Sequence, residues 1–184
     1  MAVNPEWWPV LEAWLPELQE RIAAALEALT AGHDDIVAVA VFTDADASTL
    51  VPAALTAAHR AELEKEFPDY AEQAGWDPNE FDLELGRREP GVLDSLMEKV
   101  KTLAEDVADA DMLSFRVLVW NWMVEGLKNL SRDGVLDAAY PRANVSFWIT
   151  DYHPDVENMV EWIELLNSPE RSAPYVAYLR ENGL

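Results

Sequence analysis

The chain has 184 residues, half of them hydrophobic and eight of them Trp, with 35 acidic side chains against 13 basic ones and a net charge of −22. That length suits one domain with its own core, the apolar content excludes disorder as the default state, and the lack of cysteine excludes disulfides, thiolate metal sites and thiol nucleophiles. So negative a field disfavours DNA, RNA and anionic membrane surfaces, and favours a basic protein partner met through fast, salt-sensitive encounter.

The acids are spread along the whole chain, and only four of the bases are Lys, so solubility or adaptation to salt is the plainer reading of the charge, ahead of a binding surface. No signal-peptide pattern opens the sequence. The longest apolar run, Val117 to Val124, is interrupted by Asn121 and is far too short to span a bilayer. A cytoplasmic protein is expected.

Asn4-Pro5-Glu6 has the form of a helix start, with an Asn cap and Pro at the first helical position. Pro9 and Pro16 then interrupt, which predicts a main helix from Pro16 to about Thr30. Leu18, Ile22, Leu26 and Leu29 share its face, and Gly32 ends it. Trp7, Trp8 and Trp14 fall in a Trp-rich arm, residues 1–15, expected to pack onto the body. Ile36–Thr43 is a short apolar run rich in Val, the pattern of a strand buried on both faces. The turn Asp44–Ser48 and a second extended piece, Leu50–Ala53, make it a hairpin.

Thr56 caps a helix to about Phe67, and Pro68–Glu80 is rich in loop residues around Trp76-Asp77-Pro78. Phe81–Leu85 alternates apolar and acidic residues like a strand with one wet face, ended by Pro90 and Gly91. Helices are predicted over Val92–Ala108 and Met112–Arg132. The second is apolar nearly all round and should be the central buried helix, stopped by Gly134. A strand over Asn144–Thr150 and helices over Asp155–Leu166 and Pro169–Asn182 complete one domain over residues 1–184. The class is α+β: a small mixed or antiparallel sheet of about four strands packed by several long helices.

Two patterns could carry chemistry. Asp44-Ala45-Asp46-Ala47-Ser48, after a buried strand, resembles the first motif of haloacid-dehalogenase-type phosphotransferases, where an aspartate nucleophile and a second aspartate work with Mg²⁺. That family also uses a Lys and a later acidic pair. Here Lys65, Lys99, Lys101 and Lys128 lie in helical patterns, no apolar strand ends in Asp-Asp, and a hairpin is the wrong context. Asp and Ser as turn-formers is the stronger reading. The second pattern is the repeated ending Thr43-Asp44 and Thr150-Asp151. Parallel neighbouring strands would bring Asp44, Asp46 and Asp151 together near His153, a set able to hold a divalent ion. With antiparallel strands, Asp151 and Asp155 only start turns and cap the next helix. The capping reading is preferred.

His33, His59 and His153 share no helical ligand spacing, and no nucleophile elbow, Walker sequence or Gly-rich dinucleotide loop occurs. Arg87-Arg88 reads as a salt-bridged surface pair. No catalytic set, metal site or cofactor follows.

Taken in order, several blocks carry a family likeness. The buried strand ending in Thr-Asp-x-Asp-Ala is followed by Pro52-Ala53-Ala54 and by Trp76-x-Pro78 before Glu84. Glu125-Gly126-Leu127, Asp133-Gly134 and Phe147-Trp148-Ile149-Thr150-Asp151 come later. Over roughly residues 15–180 the chain resembles a bacterial family of domains of unknown function (four-three-zero-three), departing from it in the Trp-rich start and at Asp137–Arg142. The resemblance implies a fold and no catalytic residues, since the family has no established activity. Small acidic proteins of this sort are similar in general character to toxin-neutralising immunity proteins.

A non-enzymatic protein-binding module for a basic partner, monomer or homodimer, is therefore the expectation, with Asp44, Asp46, Asp151 and Trp76 as candidate contact residues. The alternatives are an Mg²⁺-dependent phosphohydrolase centred on Asp44 and Asp46, and a structural homodimer formed through the Trp-rich start.

Overall fold

In a computed structural model that describes residues 7–68, 70–84, 93–150, 152 and 155–182, the first helix, α1 (Trp8–Leu29), begins two turns before the expected Pro16. Pro9 falls in its first turn, where a missing N–H removes no helical bond. Pro16 is exposed, so the carbonyl it leaves unpaired meets water and the helix continues through it. Trp7, Trp8 and Trp14 are half-buried against the core, with Trp7 edge-on to Phe115 at 5.4 Å. The Asn4-Pro5-Glu6 start, Leu85, Arg87-Arg88, Pro90-Gly91, Asp151 and His153 lie outside the described residues.

The expected hairpin forms. Strand β1 (Ile36–Asp44) pairs antiparallel with β2 (Val51–Thr56), Val41 opposite Pro52, with an irregularity between Ile36 and Ala38. Thr56 ends β2 and caps α2 (Ala57–Glu66), its hydroxyl accepting from the His59 amide. After the short helix α3 (Ala71–Ala74) and a 3₁₀ turn over Pro78–Glu80, β3 is only Leu83–Glu84, antiparallel to β2. Helix α4 (Asp94–Glu105) is shorter than expected at both ends, and a 3₁₀ turn (Asp109–Asp111) leads from it into α5 (Met112–Arg132).

Helix α5 has the predicted bounds and the predicted buried face, including Phe115, Val119, Trp122, Met123, Leu127 and Leu130. Gly134, left-handed at φ 74°, stops it where a Cβ would be strained. It also starts the short helix α6 (Val135–Ala139), which the sequence reading did not include. Strand β4 (Asn144–Thr150) then pairs in parallel with β1, giving a mixed sheet in the order β3-β2-β1-β4.

One sheet face, with Val39, Val41, Ala54, Val145, Phe147 and Ile149, closes the main core with α1, α4 and α5. The other carries Ala38 and Leu55 against Leu63 and Ala74. Helices α7 (Val156–Leu166) and α8 (Pro169–Asn182) form a hairpin beside the edge strand β4. Between them, the Asn167 side chain takes the place of a neighbouring strand. Its Oδ1 accepts from the Val145 amide at 2.8 Å and its Nδ2 donates to the Val145 carbonyl at 2.7 Å. An edge that would otherwise offer open backbone groups is thereby blunted at that residue.

Candidate functional site

The parallel pairing of β1 and β4 sets the two Thr-Asp endings side by side. Asp44 lies opposite Thr150, and the Thr150 hydroxyl reaches the Thr43 carbonyl at 3.3 Å. This is the carboxyl end of a parallel strand pair, where α/β proteins often place ligands. The position of Asp151 and His153 is outside the described residues, and among those described no cluster of three or more acids or histidines could hold a metal ion.

Asp44 is occupied by its own turn. Its Oδ1 accepts from the Ser48 amide at 2.8 Å, and its Oδ2 accepts from the Ser48 hydroxyl at 2.7 Å and the Thr49 hydroxyl at 2.8 Å. The Thr43 hydroxyl closes the loop by donating to the Thr49 carbonyl at 2.6 Å. Ala47 sits at φ 55° with its methyl buried in the main core, a left-handed conformation uncommon for a residue with a Cβ. Partial burial works to raise the Asp44 pKa. The bonds from Ser48 and Thr49 and the Asp46 amide outweigh it, so the carboxyl is held below its ordinary value. A carboxylate stabilised in this way is a weak base and a weak nucleophile.

Asp46 joins a different set of contacts. Its side chain is 68 % exposed and forms an ion pair at 2.6 Å with Arg116 of α5. One turn further along α5, Trp120 lies against Tyr152, ring centroids 5.0 Å apart, and Tyr152 is 40 % exposed. Arg116 Nε and Trp120 Nε1 are both buried and without a hydrogen-bond partner among the described residues. Arg116 and Tyr152 were missed by sequence reasoning because nothing in the local spacing links α5 to either strand end.

Trp76 is placed in the interior, 1 % exposed. Its ring stacks on Tyr175 at 5.0 Å and 2°, Tyr175 stacks on Tyr178 at 5.9 Å, and the Trp76 carbonyl accepts from Trp148 Nε1 at 2.7 Å. It therefore fastens α8 to the sheet and offers no surface to a partner. Beside it, the Tyr70 hydroxyl donates to Asp77 at 3.2 Å. Burial, then the charges of Asp77 and Glu80, push that phenol well above its usual range.

Two concave regions lie away from the strand ends. A cleft of about 720 Å³ separates the C-terminal turn of α1 from α6, with Glu27, Asp34, His33 and Arg142 on its rim and the Thr30–Tyr140 hydroxyl pair (3.0 Å) among its lining groups. A groove follows the α7–α8 hairpin as two hollows of about 390 and 430 Å³ that share Glu164 and Arg180. Helical spacing on α7 already aligned the acids of that groove in the sequence. Nine of the 13 basic side chains are held by acids of the same chain, from Arg21–Glu17 to Arg180–Glu164, which leaves few cations unpaired among the described residues.

A family model described as domain of unknown function (DUF4303) matches residues 18–168. No curated protein and no solved structure matches the chain. No helix among the described residues is long and apolar enough to cross a membrane.

Proposed function

We propose that this chain, which belongs to the DUF4303 family of domains of unknown function, is a non-enzymatic cytoplasmic binding module whose acidic surface receives a basic protein. The observation that carries this reading is the charge arrangement. A net −22 is spread along the chain, while nine of the 13 basic groups are already engaged by acids of the chain itself. Such a field accelerates encounter with a cationic partner and repels nucleic acid and anionic lipid. By analogy of class alone, a basic toxin domain is the partner to look for first.

Phosphohydrolysis at Asp44 and Asp46 has less support. The would-be nucleophile is bonded to three donors of its own turn, and the second aspartate is paired with Arg116. A homodimer through the Trp-rich start is likewise less favoured, because Trp7, Trp8 and Trp14 already pack against the core.

The test is capture of partners from lysate at roughly 50 mM and roughly 500 mM salt, followed by mixing of the purified chain with each recovered protein. A basic protein that binds directly at low salt and is released at high salt supports the proposal. Failure to recover any basic protein that binds directly at low salt overturns it.

A further inference from the structure

We infer that the groove between α7 and α8 is the docking site for a cationic amphipathic helix of about three turns, an inference that rests on the binding reading above. The two helices are joined by Asn167 and Ser168 alone and form a tight hairpin. Their inner faces are spent on the core, where Val160, Ile163, Val176 and Leu179 pack around Trp76. On the solvent side they leave a channel whose apolar walls are Val156 and Leu165 of α7 and Pro169, Ala173 and Ala177 of α8, with the buried Val160 and Val176 at its floor. Leu165 is 42 % exposed, a large apolar side chain turned to water.

The rim has one sign. Glu157, Glu161 and Glu164 are exposed and line the groove at a spacing that puts all three on one face of α7. Arg180 is the single opposing cation among the groove residues. It reaches Glu164 only at 3.9 Å, with both side chains more than half exposed, so the pair is easily exchanged for a new one.

Length and shape select the occupant. The α7 residues that line the groove, Val156 to Leu165, span about 14 Å at the helical rise, room for about three turns of a partner helix. A helix laid in such a groove places apolar side chains at i, i+3 or i+4 and i+7 into the hollows, and its flanking Lys or Arg residues meet the three glutamates. A second copy of this chain is excluded as occupant by its own −22, which the rim would repel. The larger cleft by α6 carries a weaker bias, two acids, Glu27 and Asp34, against one base, Arg142.

The test uses the full chain and a fluorescent Leu/Lys peptide of about 14 residues patterned as an amphipathic helix, with a scrambled peptide of the same composition as control. Anisotropy titrations at low salt should show the patterned peptide binding at least about tenfold more tightly. Glu157→Gln, Glu161→Gln and Glu164→Gln together should weaken it about tenfold, and Arg180→Ala should tighten it about threefold. A variant with Glu12→Gln, Glu20→Gln and Glu66→Gln makes the same change in net charge on exposed residues of α1 and α2, and should stay within about twofold of wild type.

Equal binding of the two peptides, or equal weakening by the two triple variants, overturns the groove while leaving the acidic binding module standing. The same holds if neither peptide binds. Loss of every basic partner in the capture experiment instead overturns the module itself. Unchanged melting curves for both triple variants establish that folding is not what changed.

Discussion

Replacing Asp44 by alanine removes three hydrogen bonds at once, those from the Ser48 amide, the Ser48 hydroxyl and the Thr49 hydroxyl. A net intramolecular hydrogen bond is worth about 1 kcal/mol, more with a charged partner. Asp44 is only half-buried, and the two hydroxyls can turn to water, so the lower figure applies to each. Asp44→Ala should therefore destabilise by about 2–3 kcal/mol, lowering Tm by roughly 5–10 °C for a chain of this size. Asp44→Asn keeps an acceptor for the Ser48 amide and should lose about 1 kcal/mol.

Asp46→Ala is the control, since its exposed pair with Arg116 should contribute less than about 1 kcal/mol. Urea unfolding followed by Trp fluorescence measures all three. The folded Asp44 pKa lies below the unfolded value, so its contribution is present above the ordinary carboxylate range and is lost as pH falls through the folded value. The gap between wild type and Asp44→Asn should accordingly narrow on acidification below about pH 4. An Asp44→Ala loss no larger than that of Asp46→Ala would refute the view that Asp44 serves its turn.

Three further outcomes follow from packing. A Cβ at Gly126 would lie 2.7 Å from Leu18 Cδ2 and 3.2 Å from its Cγ, so Gly126→Ala should lose about 1 kcal/mol net, overpacking outweighing the gain in helix propensity. A double-mutant cycle with Leu18→Ala should show coupling of about 1 kcal/mol, and additivity within about 0.5 kcal/mol would contradict it. Asn167→Ala removes the two bonds to Val145 and one to Ile163, and should lose about 2–3 kcal/mol with faster hydrogen exchange at the Val145 amide; unchanged protection there would count against the clamp. Trp76→Phe should cost about 1–2 kcal/mol while leaving partner affinity unchanged, because the indole N–H has no partner among the described residues and the ring has no exposed face.

Periodicity made the long elements legible. Helix α5 and strand β4 have the bounds that their apolar patterns predicted, and the hairpin of β1 and β2 follows from two short apolar runs around an Asp- and Ser-bearing turn. Pro16 misled because its helix-breaking effect depends on where the freed carbonyl points, and here that is toward water. The direction of β4 against β1 was not legible, since a hundred residues, with β2, β3 and several helices among them, separate the two strands; only the paired register shows that Asp44 and Thr150 are neighbours.

For the candidate site, Asp44 and Asp46 read alike in sequence and differ in structure. One is satisfied locally and the other from α5, a partner 70 residues away. Trp76 looked like a contact residue because its loop setting concealed the aromatic stack on α8 that buries it. The glutamates of α7 had the right spacing in sequence, but their meaning depends on the apolar hollow beside them, which requires α8 to be in place.

The most direct measurement is the equilibrium affinity of the purified chain for its recovered basic partner, followed as salt is raised. A binding module that works through its acidic surface predicts affinity falling steadily with salt, and a partner seated in the α7–α8 groove predicts a further fall when Glu157, Glu161 and Glu164 are neutralised. Affinity that does not change with salt, or the lack of any basic partner that binds directly, would contradict it.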